Sequence, residues 1–487
     1  MPATWMHALP EADRAMPAAG AEGLVAALRD ALGPNAVATG ADAARWSCDW
    51  TGQLRWTPLC VARPADTAGV AAVLRAARAA GVPVVPVSGN TGLAGGTVAD
   101  GAVMLSLDRM ARIRAIRPKA QVAEIEAGVV LSTLHEAAAA QGLRFPMTFG
   151  ARGSAMLGGM MATNAGGSGV LRYGNTRDLV LGIEAVLADG RVVDLMGALH
   201  KDNSGLNLKH LLIGSEGTLG IITAAVVRLV PAVTARATAM AAVPDFDAAL
   251  ALLADLQAAS GGGVEAFEYM DARFMDTYAA HAPDAPEPFA ARHAINILCE
   301  IASTDPAAAQ PDPSGAMPLD AIVERVLAAG LEAGRVTDAV VARSDAQRDA
   351  LWARREAAAE ITVARKPVLI CDIAVATDRV EAFLSAIAPR LAAIDPGAEP
   401  MTVAHLGDGN LHYSVWPTDA RDKDAIAEAV EECVLALGGT FSAEHGIGSL
   451  KRDSMRRRKD PGALAAMRAI KDALDPDGLL NPGKLLP

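Results

Sequence analysis

Apolar positions in the first quarter of the chain change period several times, and these changes predict an α/β layer. Valine and leucine recur at helical spacing behind a candidate cap at Asp66 or Thr67, and Gly81 is suited to end that helix in a left-handed turn. The apolar run 82–87 then predicts a buried strand, and the run 102–107 predicts a second one.

The next block, which ends near Pro231, continues with short elements. A strand is predicted at 124–128, a helix at 131–141 and a β-hairpin at 179–195. The residues 211–230 predict strands interrupted by glycine. Together these patterns favour an α+β fold for the first part of the chain.

Beyond Pro231 the pattern changes to amphipathic helices. An alternating run at 294–300 predicts a strand, and a polar, proline-rich insert at 305–318 predicts a mobile loop. We therefore expect a second α+β domain that extends to about Gly438.

Net charge and hydropathy exclude two classes of partner. A formal charge of −12 argues against a nucleic-acid surface, because phosphates are bound by clustered Lys and Arg. The dense basic run 451–459 is interpreted as a solvated helix face, with docking of an acidic redox partner as the alternative.

No apolar stretch is long enough to span a bilayer, and residues 1–14 lack a signal pattern, so a cytoplasmic location is expected.

Cysteine usage limits the redox chemistry that the chain can perform. The five cysteines are widely spaced and include no CxxC pair, which disfavours a disulfide frame, a zinc ribbon or an iron–sulfur site. Electrons handled by this protein are therefore expected to pass through an organic cofactor.

Glycine-rich loops indicate where such a cofactor would bind. Main-chain N–H groups in the loop 88–98 are suited to hold a pyrophosphate, although a plain surface turn explains this loop alone equally well. Neither GxGxxG opening a helix nor GxxxxGK[ST] is present, which disfavours a nicotinamide-binding domain or an ATPase. Two further clusters, within 149–169 and 211–223, favour a long ligand that contacts several loops.

The motif series VPVSGNTGLAGG, GARGSAMLGGMMATNAGG, LRYGNTRDLVLGIEAVLADG and LLIGSEGTLGIIT resembles the FAD-binding domain of the vanillyl-alcohol oxidase and p-cresol methylhydroxylase superfamily. The resemblance implies a two-subdomain FAD-binding domain over 1–231, with its core at 56–231. It also implies an α+β substrate domain over 232–438. Residues 439–487 would return to the FAD domain, because LDPDGLLNPGKLLP resembles the terminal segment of those enzymes.

The same resemblance implies which residues contact FAD. For the pyrophosphate end they are Pro86, Ser88, Gly89, Asn90, Thr91, Gly92, Gly95 and Gly96. For the flavin end they are Pro146, Gly153, Ser154, Gly158, Gly159, Asn164, Gly166 and Ile222, with Glu216 and Asn481 as further candidates. Some members of the superfamily tether FAD through a His or Cys in these loops. Here the loops contain neither, so we expect non-covalent FAD.

A second constellation lies in HLGDGNLH and SAEHGIG. A turn between His405 and His412 would bring the two imidazoles together, and with Glu444 they form a plausible three-ligand set for Zn²⁺ or a similar divalent metal. Hydrogen-bonded structural histidines are the alternative. A zinc protease is disfavoured because the HExxH helix is missing.

These two motifs resemble the signature pair of the D-2-hydroxy-acid dehydrogenases. The resemblance implies that His405, His412 and Glu444 bind the metal and that His445 is the catalytic base. It also places Arg355 where those enzymes bind the substrate carboxylate, although an exposed helix arginine would fit the same sequence.

The predicted activity is oxidation of a small D-2-hydroxy acid to the 2-oxo acid, with hydride passing to flavin N5 and the metal stabilising the alkoxide. The electron acceptor, whether a quinone, an electron-transfer flavoprotein or a cytochrome, would leave no motif. Oligomeric state is also open, a homodimer included. The alternatives are an oxidase that uses O₂, an alkyl-transfer flavin synthase of the same superfamily, and a non-catalytic flavin- or metal-binding protein.

Three positions depart from the D-2-hydroxyglutarate enzymes. Ala359, Ile370 and Ser414 stand where those enzymes have a threonine, a lysine or similar polar group, and an asparagine. Because these polar groups are missing or shortened here and Ile370 offers an apolar wall, a distal carboxylate would be poorly held. We therefore expect a preference for a short or apolar side chain, as in D-lactate or D-2-hydroxybutyrate.

Overall fold

The computed structural model describes residues 20–313 and 315–487. The N-terminal sequence interpreted above, residues 1–14, and Ser314 in the predicted loop lie outside the described residues. Within them, the strands form three main sheets and one short two-stranded pair. No described helix is long and apolar enough to cross a membrane.

The first sheet has four strands and two flanking helices. Its strands, in the order β1-β2-β4-β3, are β1 (Val37–Ala38), β2 (Cys60–Ala62), β3 (Val84–Val87) and β4 (Val103–Ser106), and its helices are α1 (Ala21–Leu32) and α2 (Thr67–Ala80). Asp66 caps α2 by accepting from the Gly69 N–H at 2.8 Å, and Gly81 ends it in the left-handed region, as predicted. Strands β2, β4 and β3 are parallel, so the loop 88–98 leaves the carboxyl end of β3.

The second sheet is antiparallel, in the order β5-β6-β10-β8-β9. Its strands are β5 (Ile113–Arg117), β6 (Val122–Glu126), β8 (Val180–Val186), β9 (Val192–Leu195) and β10 (Ile221–Arg228), and β7 (Leu143–Arg144) pairs separately with β11 (Val230–Pro231). Its helices are α3 (Leu131–Ala139), α4 (Leu157–Thr163), α5 (Val170–Tyr173), α6 (Thr176–Leu179) and α7 (Leu208–Leu212). The β8–β9 hairpin agrees with the sequence pattern.

The prediction of a glycine-broken strand at 211–223 is wrong. The first part of that stretch belongs to helix α7, and the strand begins only at Ile221. Between them Gly214, Glu216 and Gly217 all have positive φ, which removes this loop from any strand ladder.

The third sheet has seven antiparallel strands, in the order β15-β12-β14-β13-β17-β18-β16. They are β12 (Ala235–Val243), β13 (Val264–Asp271), β14 (Ile295–Ser303), β15 (Asp338–Val341), β16 (Leu369–Ala374), β17 (Glu399–His405) and β18 (Asn410–Trp416). The surrounding helices are α8 (Phe246–Ala259), α9 (Ala272–His281), α10 (Pro318–Glu332), α11 (Asp345–Glu356), α12 (Ala358–Ala364), α13 (Val380–Ile394) and α14 (Lys423–Ala436).

Apolar clusters cover both faces of this sheet. On one face α8, α10, α13 and α14 bury a large core around Phe267, Phe383 and Tyr413. On the other face α9, α11 and α12 pack around Met240, Phe274 and Leu298. The second core covers only part of its face, and the polar residues of the site lie beside it.

The C-terminal segment returns to the first domain, as the resemblance implied. After α15 (Arg452–Arg458) and α16 (Pro461–Leu474), Leu480 forms a parallel bridge with Val84, and the Asn481 N–H donates to the Val84 carbonyl at 2.8 Å. Leu479 and Leu480 are buried in the core of the first sheet.

The basic run 451–459 is largely paired within the chain. Arg457 and Arg458 both contact Glu428 of α14, and Arg458 also approaches Glu431. These pairs reduce the positive charge that the helix α15 presents outward.

Candidate active site

A large cavity of about 1540 Å³ lies between the glycine loops of the first domain and the seven-stranded sheet of the second. All three glycine-rich clusters line it. Most of the predicted FAD contacts share its wall, namely Pro86, Ser88, Gly89, Asn90, Thr91, Gly92, Gly96, Pro146, Ser154, Gly158, Gly159, Gly166, Glu216, Ile222 and Asn481. The predicted metal, substrate and base residues line the same cavity: His405, His412, Glu444, His445, Arg355, Ile370 and Ser414.

Three predicted residues lie outside the cavity wall. Gly95 packs against Ser449 and Leu54, which leaves no room for a side chain. Asn164 ends α4 with a φ of +53° and accepts from the Arg177 N–H at 2.9 Å. Gly153 closes the short 3₁₀ turn at 150–153.

Some glycines of these loops allow two segments of the protein to pack closely, and others leave space at the cavity. A Cβ on Gly89 would collide with the Ser154 carbonyl, and one on Gly158 would lie 2.8 Å from the Ala127 side chain. By contrast, a Cβ on Gly92 would meet nothing within 4 Å, so this part of the loop is open to a ligand. Along the stretch 86–97 the cavity wall carries no charged side chain, and the main-chain N–H groups of such a glycine-rich loop are suited to the pyrophosphate of FAD.

Strand register places the polar residues of the second constellation on one face of the sheet. In antiparallel strands, directly paired residues point to the same side. Glu268 pairs with His405, and Asp372 pairs with His412, which itself stands opposite Val403 on the strand of His405. The β17–β18 hairpin therefore brings the two imidazoles together, with ring centroids 5.4 Å apart, as the predicted turn required.

Two overlapping groups of donor atoms are arranged for a cation. In each group, one atom per residue lies within 4.8 Å of the others: His405 with His412 and Glu444, and Asp372 with His412 and His445. The first is the predicted ligand set, and His405 Nε2 lies 3.8 Å from a Glu444 oxygen. Burial raises the pKa of the Glu444 carboxyl to about 7.

Glu268 is a buried residue that the sequence interpretation did not identify. Its oxygens lie 2.8–2.9 Å from His405 Nδ1, and one of them also accepts from Arg355 Nε at 2.8 Å. Burial alone would raise its pKa, but the neighbouring His405 and Arg355 outweigh burial and hold the pKa at about 2. Glu268 therefore fixes the orientation of His405 and leaves its Nε2 directed to the other donors.

Asp372 is the corresponding buried carboxylate beside the other two histidines, His412 and His445. Its oxygens lie 3.8 Å from His412 Nδ1 and 3.6 Å from His445 Nδ1, and one accepts from the N–H groups of both Glu444 and His445 at 2.9 Å. Burial opposes its charge, but the neighbouring His445, Lys451 and His412 lower its pKa below the ordinary range. Burial lowers the pKa of both His412 and His445, which favours their neutral forms.

Arg355 is buried rather than exposed on its helix, so the solvated-arginine alternative does not describe it. Besides Glu268, it approaches His405 Nε2 with Nη2 at 3.5 Å. Ile370 and Ser414 are direct cross-strand partners on the face that carries His412, and Ile370 is 42% exposed toward the cavity. Ala359, from α12, lines the cavity as well.

A signal for the two missed acids is present in the sequence. Glu268 and Asp372 each stand in a short strand whose other residues are largely apolar, and a carboxylate in such a strand must have a partner. The identity of the partner depends on strand order, which the local sequence does not determine.

Family models match both parts of the chain. The model described as "FAD linked oxidases, C-terminal domain" matches residues 233–485, and the model described as "FAD binding domain" matches residues 58–196. Among solved structures, p-cresol methylhydroxylase with substrate bound is similar at a TM-score of 0.74 and 15% identity, over 96% of this chain and 97% of that one. Alkyldihydroxyacetonephosphate synthase is similar at a TM-score of 0.70 and 17% identity, over 97% and 90%. These likenesses confirm the predicted fold.

Curated relatives cover nearly the whole chain. The D-2-hydroxyglutarate dehydrogenase of Xanthomonas citri pv. viticola is 37% identical over 455 residues, which is 91% of this chain and 93% of that protein. The mitochondrial D-2-hydroxyglutarate dehydrogenase of Bos taurus is 36% identical over 449 residues, or 90% and 79%. Because the C-terminal model alone matches more than half of the residues and the relatives extend over both domains, the chain belongs to the FAD-linked oxidases.

Proposed function

We propose that this protein oxidises a small D-2-hydroxy acid to the corresponding 2-oxo acid with FAD as its cofactor. The observation that carries the proposal is the convergence of His405, His412, Glu444, His445 and Arg355 on the cavity that the glycine loops also line. The relatives named D-2-hydroxyglutarate dehydrogenases support the same reaction class.

Arg355 and His445 have different roles toward the substrate. Arg355 binds the carboxylate: Glu268 accepts from its Nε at 2.8 Å and its Nη2 approaches His405 Nε2 at 3.5 Å, which fixes the guanidinium at the cavity wall for a charge-assisted contact. His445 accepts the hydroxyl proton at Nε2, because its Nδ1 faces Asp372 and burial keeps the imidazole neutral. FAD, when bound, supplies the two-electron acceptor for the substrate C–H bond.

The proposal also includes a site for a divalent metal. His405, His412 and Glu444 would hold a divalent cation, and two imidazoles with one carboxylate favour Zn²⁺. Buried carboxylates at Nδ1 of both histidines are the usual outer partners of such ligands, and Glu268 and Asp372 occupy those positions. When bound, the cation would supply Lewis-acid polarisation of the substrate hydroxyl.

The substrate side chain would face Ile370 and Ser414. An apolar, partly exposed side chain beside a small hydroxyl offers no cation to a distal carboxylate. We propose a short or apolar side chain, as in D-lactate, although the relatives carry the name of a dicarboxylic acid. The electron acceptor would be a quinone, an electron-transfer flavoprotein or a cytochrome.

The test is anaerobic reduction of the bound flavin by a panel of D- and L-2-hydroxy acids, followed by readmission of air. We expect bleaching of the flavin absorbance by D-lactate or D-2-hydroxybutyrate, no bleaching by the L-enantiomers, and slow reoxidation by air. No bleaching by any 2-hydroxy acid would refute the proposed reaction, and rapid reoxidation would favour an oxidase.

Comparing kcat/KM for D-lactate and D-2-hydroxyglutarate in the wild type and in Ile370→Lys tests the side-chain preference separately. The variant should shift the ratio toward the dicarboxylic acid. A wild type that favours D-2-hydroxyglutarate by about tenfold, a difference of about 1.4 kcal/mol, would show that another group binds the distal carboxylate.

A further inference from the structure

The loop 441–448, which carries Glu444 and His445, is held by charged side chains from several directions. Asp372 accepts from the N–H groups of Glu444 and His445. The Lys451 ammonium donates to the Phe441 carbonyl and to Ser442 Oγ, both at 3.1 Å. A third charged group comes from the FAD-binding domain.

That third group is Glu216, which lies in the third glycine cluster. One of its oxygens accepts from the Ile447 N–H and the other from the Gly448 N–H, each at 2.7 Å. The side chain is buried, and burial raises the pKa of its carboxyl while the two N–H donors oppose that rise. Both oxygens therefore serve as acceptors for main-chain donors of the loop.

The main chain of Glu216 is fixed as tightly as its side chain. Its N–H donates to the Ala162 carbonyl at 2.8 Å, and its own carbonyl accepts from Asn481 Nδ2 at 2.7 Å. Ala162 lies in the second glycine cluster, on α4, and Asn481 belongs to the returning C-terminal segment. Asn481 Nδ2 also donates to the Gly96 carbonyl at 3.1 Å, so three predicted FAD-holding segments meet at this residue.

The loop 441–448, called the catalytic loop below, also packs against the first glycine loop, through Gly448 and the next residue, Ser449. The Ser449 N–H donates to the Ala94 carbonyl at 3.0 Å, and Ser449 Oγ donates to the Gly95 carbonyl at 3.1 Å. A Cβ on Gly448 would collide with the Ala94 carbonyl, and one on Gly446 would lie 2.9 Å from a Glu216 oxygen. Both glycines have positive φ, so the approach is built into the backbone of the loop.

We propose that Glu216 is a positioning residue that couples the FAD-binding loops to the loop carrying Glu444 and His445. It does not itself react with the substrate. It holds the N–H groups of Ile447 and Gly448 so that the imidazole of His445 keeps a fixed place relative to the flavin. This inference rests on the proposed function, since it assigns His445 to the proton-transfer step.

The experiment compares the flavin-loaded wild type with Glu216→Gln. The amide of glutamine keeps one acceptor oxygen but turns an N–H donor toward the second loop N–H, so one of the two hydrogen bonds is lost. We expect full FAD content, KM for the hydroxy acid within about threefold, and a rate of flavin reduction at saturating substrate lower by at least about tenfold, because small misplacements of a catalytic group cost up to about 100-fold.

A second measurement does not depend on turnover. Hydrogen exchange of the Ile447 and Gly448 amides should be faster in Glu216→Gln than in the wild type. Glu126→Gln is the matched control, since Glu126 is a buried carboxylate of the same domain that pairs with Arg112 and does not contact the catalytic loop. It should leave the reduction rate and both amides unchanged.

The outcomes separate this inference from the proposed function. If no 2-hydroxy acid reduces the wild-type flavin, the proposed function fails, and the amide exchange still tests the coupling. Unchanged exchange together with unchanged reduction in Glu216→Gln would overturn the inference, as would a defect that excess FAD fully restores. If Glu216→Gln does not fold, Gly446→Ala displaces the same carboxylate from the loop side and should give the same pattern.

Discussion

Replacing Glu268 by glutamine should destabilise the second domain and weaken binding of the proposed metal. The carboxylate is 1% exposed and is held by His405 Nδ1 and Arg355 Nε. An amide cannot neutralise the guanidinium, so the substitution leaves a buried cation without its counter-charge. It also removes one of the two acceptors that orient His405.

The expected magnitude follows from the Glu268 pKa. Lowering it from the ordinary 4.5 to about 2 corresponds to about 3 kcal/mol in favour of the charged, folded form. Breaking a buried ion pair typically costs about 3–5 kcal/mol, which agrees. For a domain of this size, roughly 2–4 °C of Tm is lost per kcal/mol, so Tm should fall by about 6–12 °C. Loss of the outer partner of His405 should weaken metal binding by about 10–100-fold.

The pH dependence of the stability provides an independent test of the effect of Glu268. A carboxyl whose folded pKa is depressed contributes stability above its unfolded pKa, and this stability is lost as the pH falls toward the folded value. The difference in Tm between wild type and Glu268→Gln should therefore be full at pH 6–7 and shrink between about pH 4 and pH 2.

Thermal unfolding and metal analysis of the purified flavoprotein provide the assay. Glu126→Gln is the control, because it removes a buried carboxylate paired with Arg112 at 2.8 Å but should retain the metal. A Glu268→Gln protein with wild-type Tm and wild-type metal content would refute the reasoning. Loss of Tm without loss of metal would show that Glu268 supports Arg355 and the fold but does not orient His405.

Three further predictions concern the site. Chelation of the proposed metal, or His405→Ala, should abolish turnover while FAD stays bound, because the predicted metal ligands and the predicted FAD contacts lie in separate segments of the chain. Full activity in a metal-free protein would contradict the metal assignment. His445→Asn should keep metal and flavin but slow flavin reduction by at least about 100-fold, and an effect on KM alone would make His445 a binding group. Acid or heat should release all of the flavin, and yellow colour remaining with the denatured protein would indicate a covalent bond.

The local elements of the fold were predictable where one short motif determines them. The helix capped by Asp66 and ended by Gly81, and the strand 84–87 before the glycine loop, follow from capping and periodicity alone. The turn between His405 and His412 was predictable because Gly407, Asp408 and Gly409 favour a reversal. Helix α7 was missed because a three-residue apolar run beside glycine does not distinguish one helical turn from a strand.

The supporting acids of the site could not be predicted from the sequence because their partners are set by sheet order. Glu268 is 137 residues from His405, and Asp372 is 73 residues from His445. The strand β13 pairs with β17 only because the order β14-β13-β17-β18 is adopted, and a different order would place another residue beside His405. Such a choice depends on the packing of whole helices and sheets rather than on the residues around Glu268.

The catalytic loop is held by carboxylates from both domains. Its first half is held by Asp372 of the seven-stranded sheet, and its second half by Glu216 of the FAD-binding domain. Neither carboxylate alone fixes both Glu444 and the glycines that follow His445, because each bonds a different pair of N–H groups. The predicted base is therefore in place only when the two domains are packed together, and a substitution that separates them would impair proton transfer even if every residue at the cavity wall were retained.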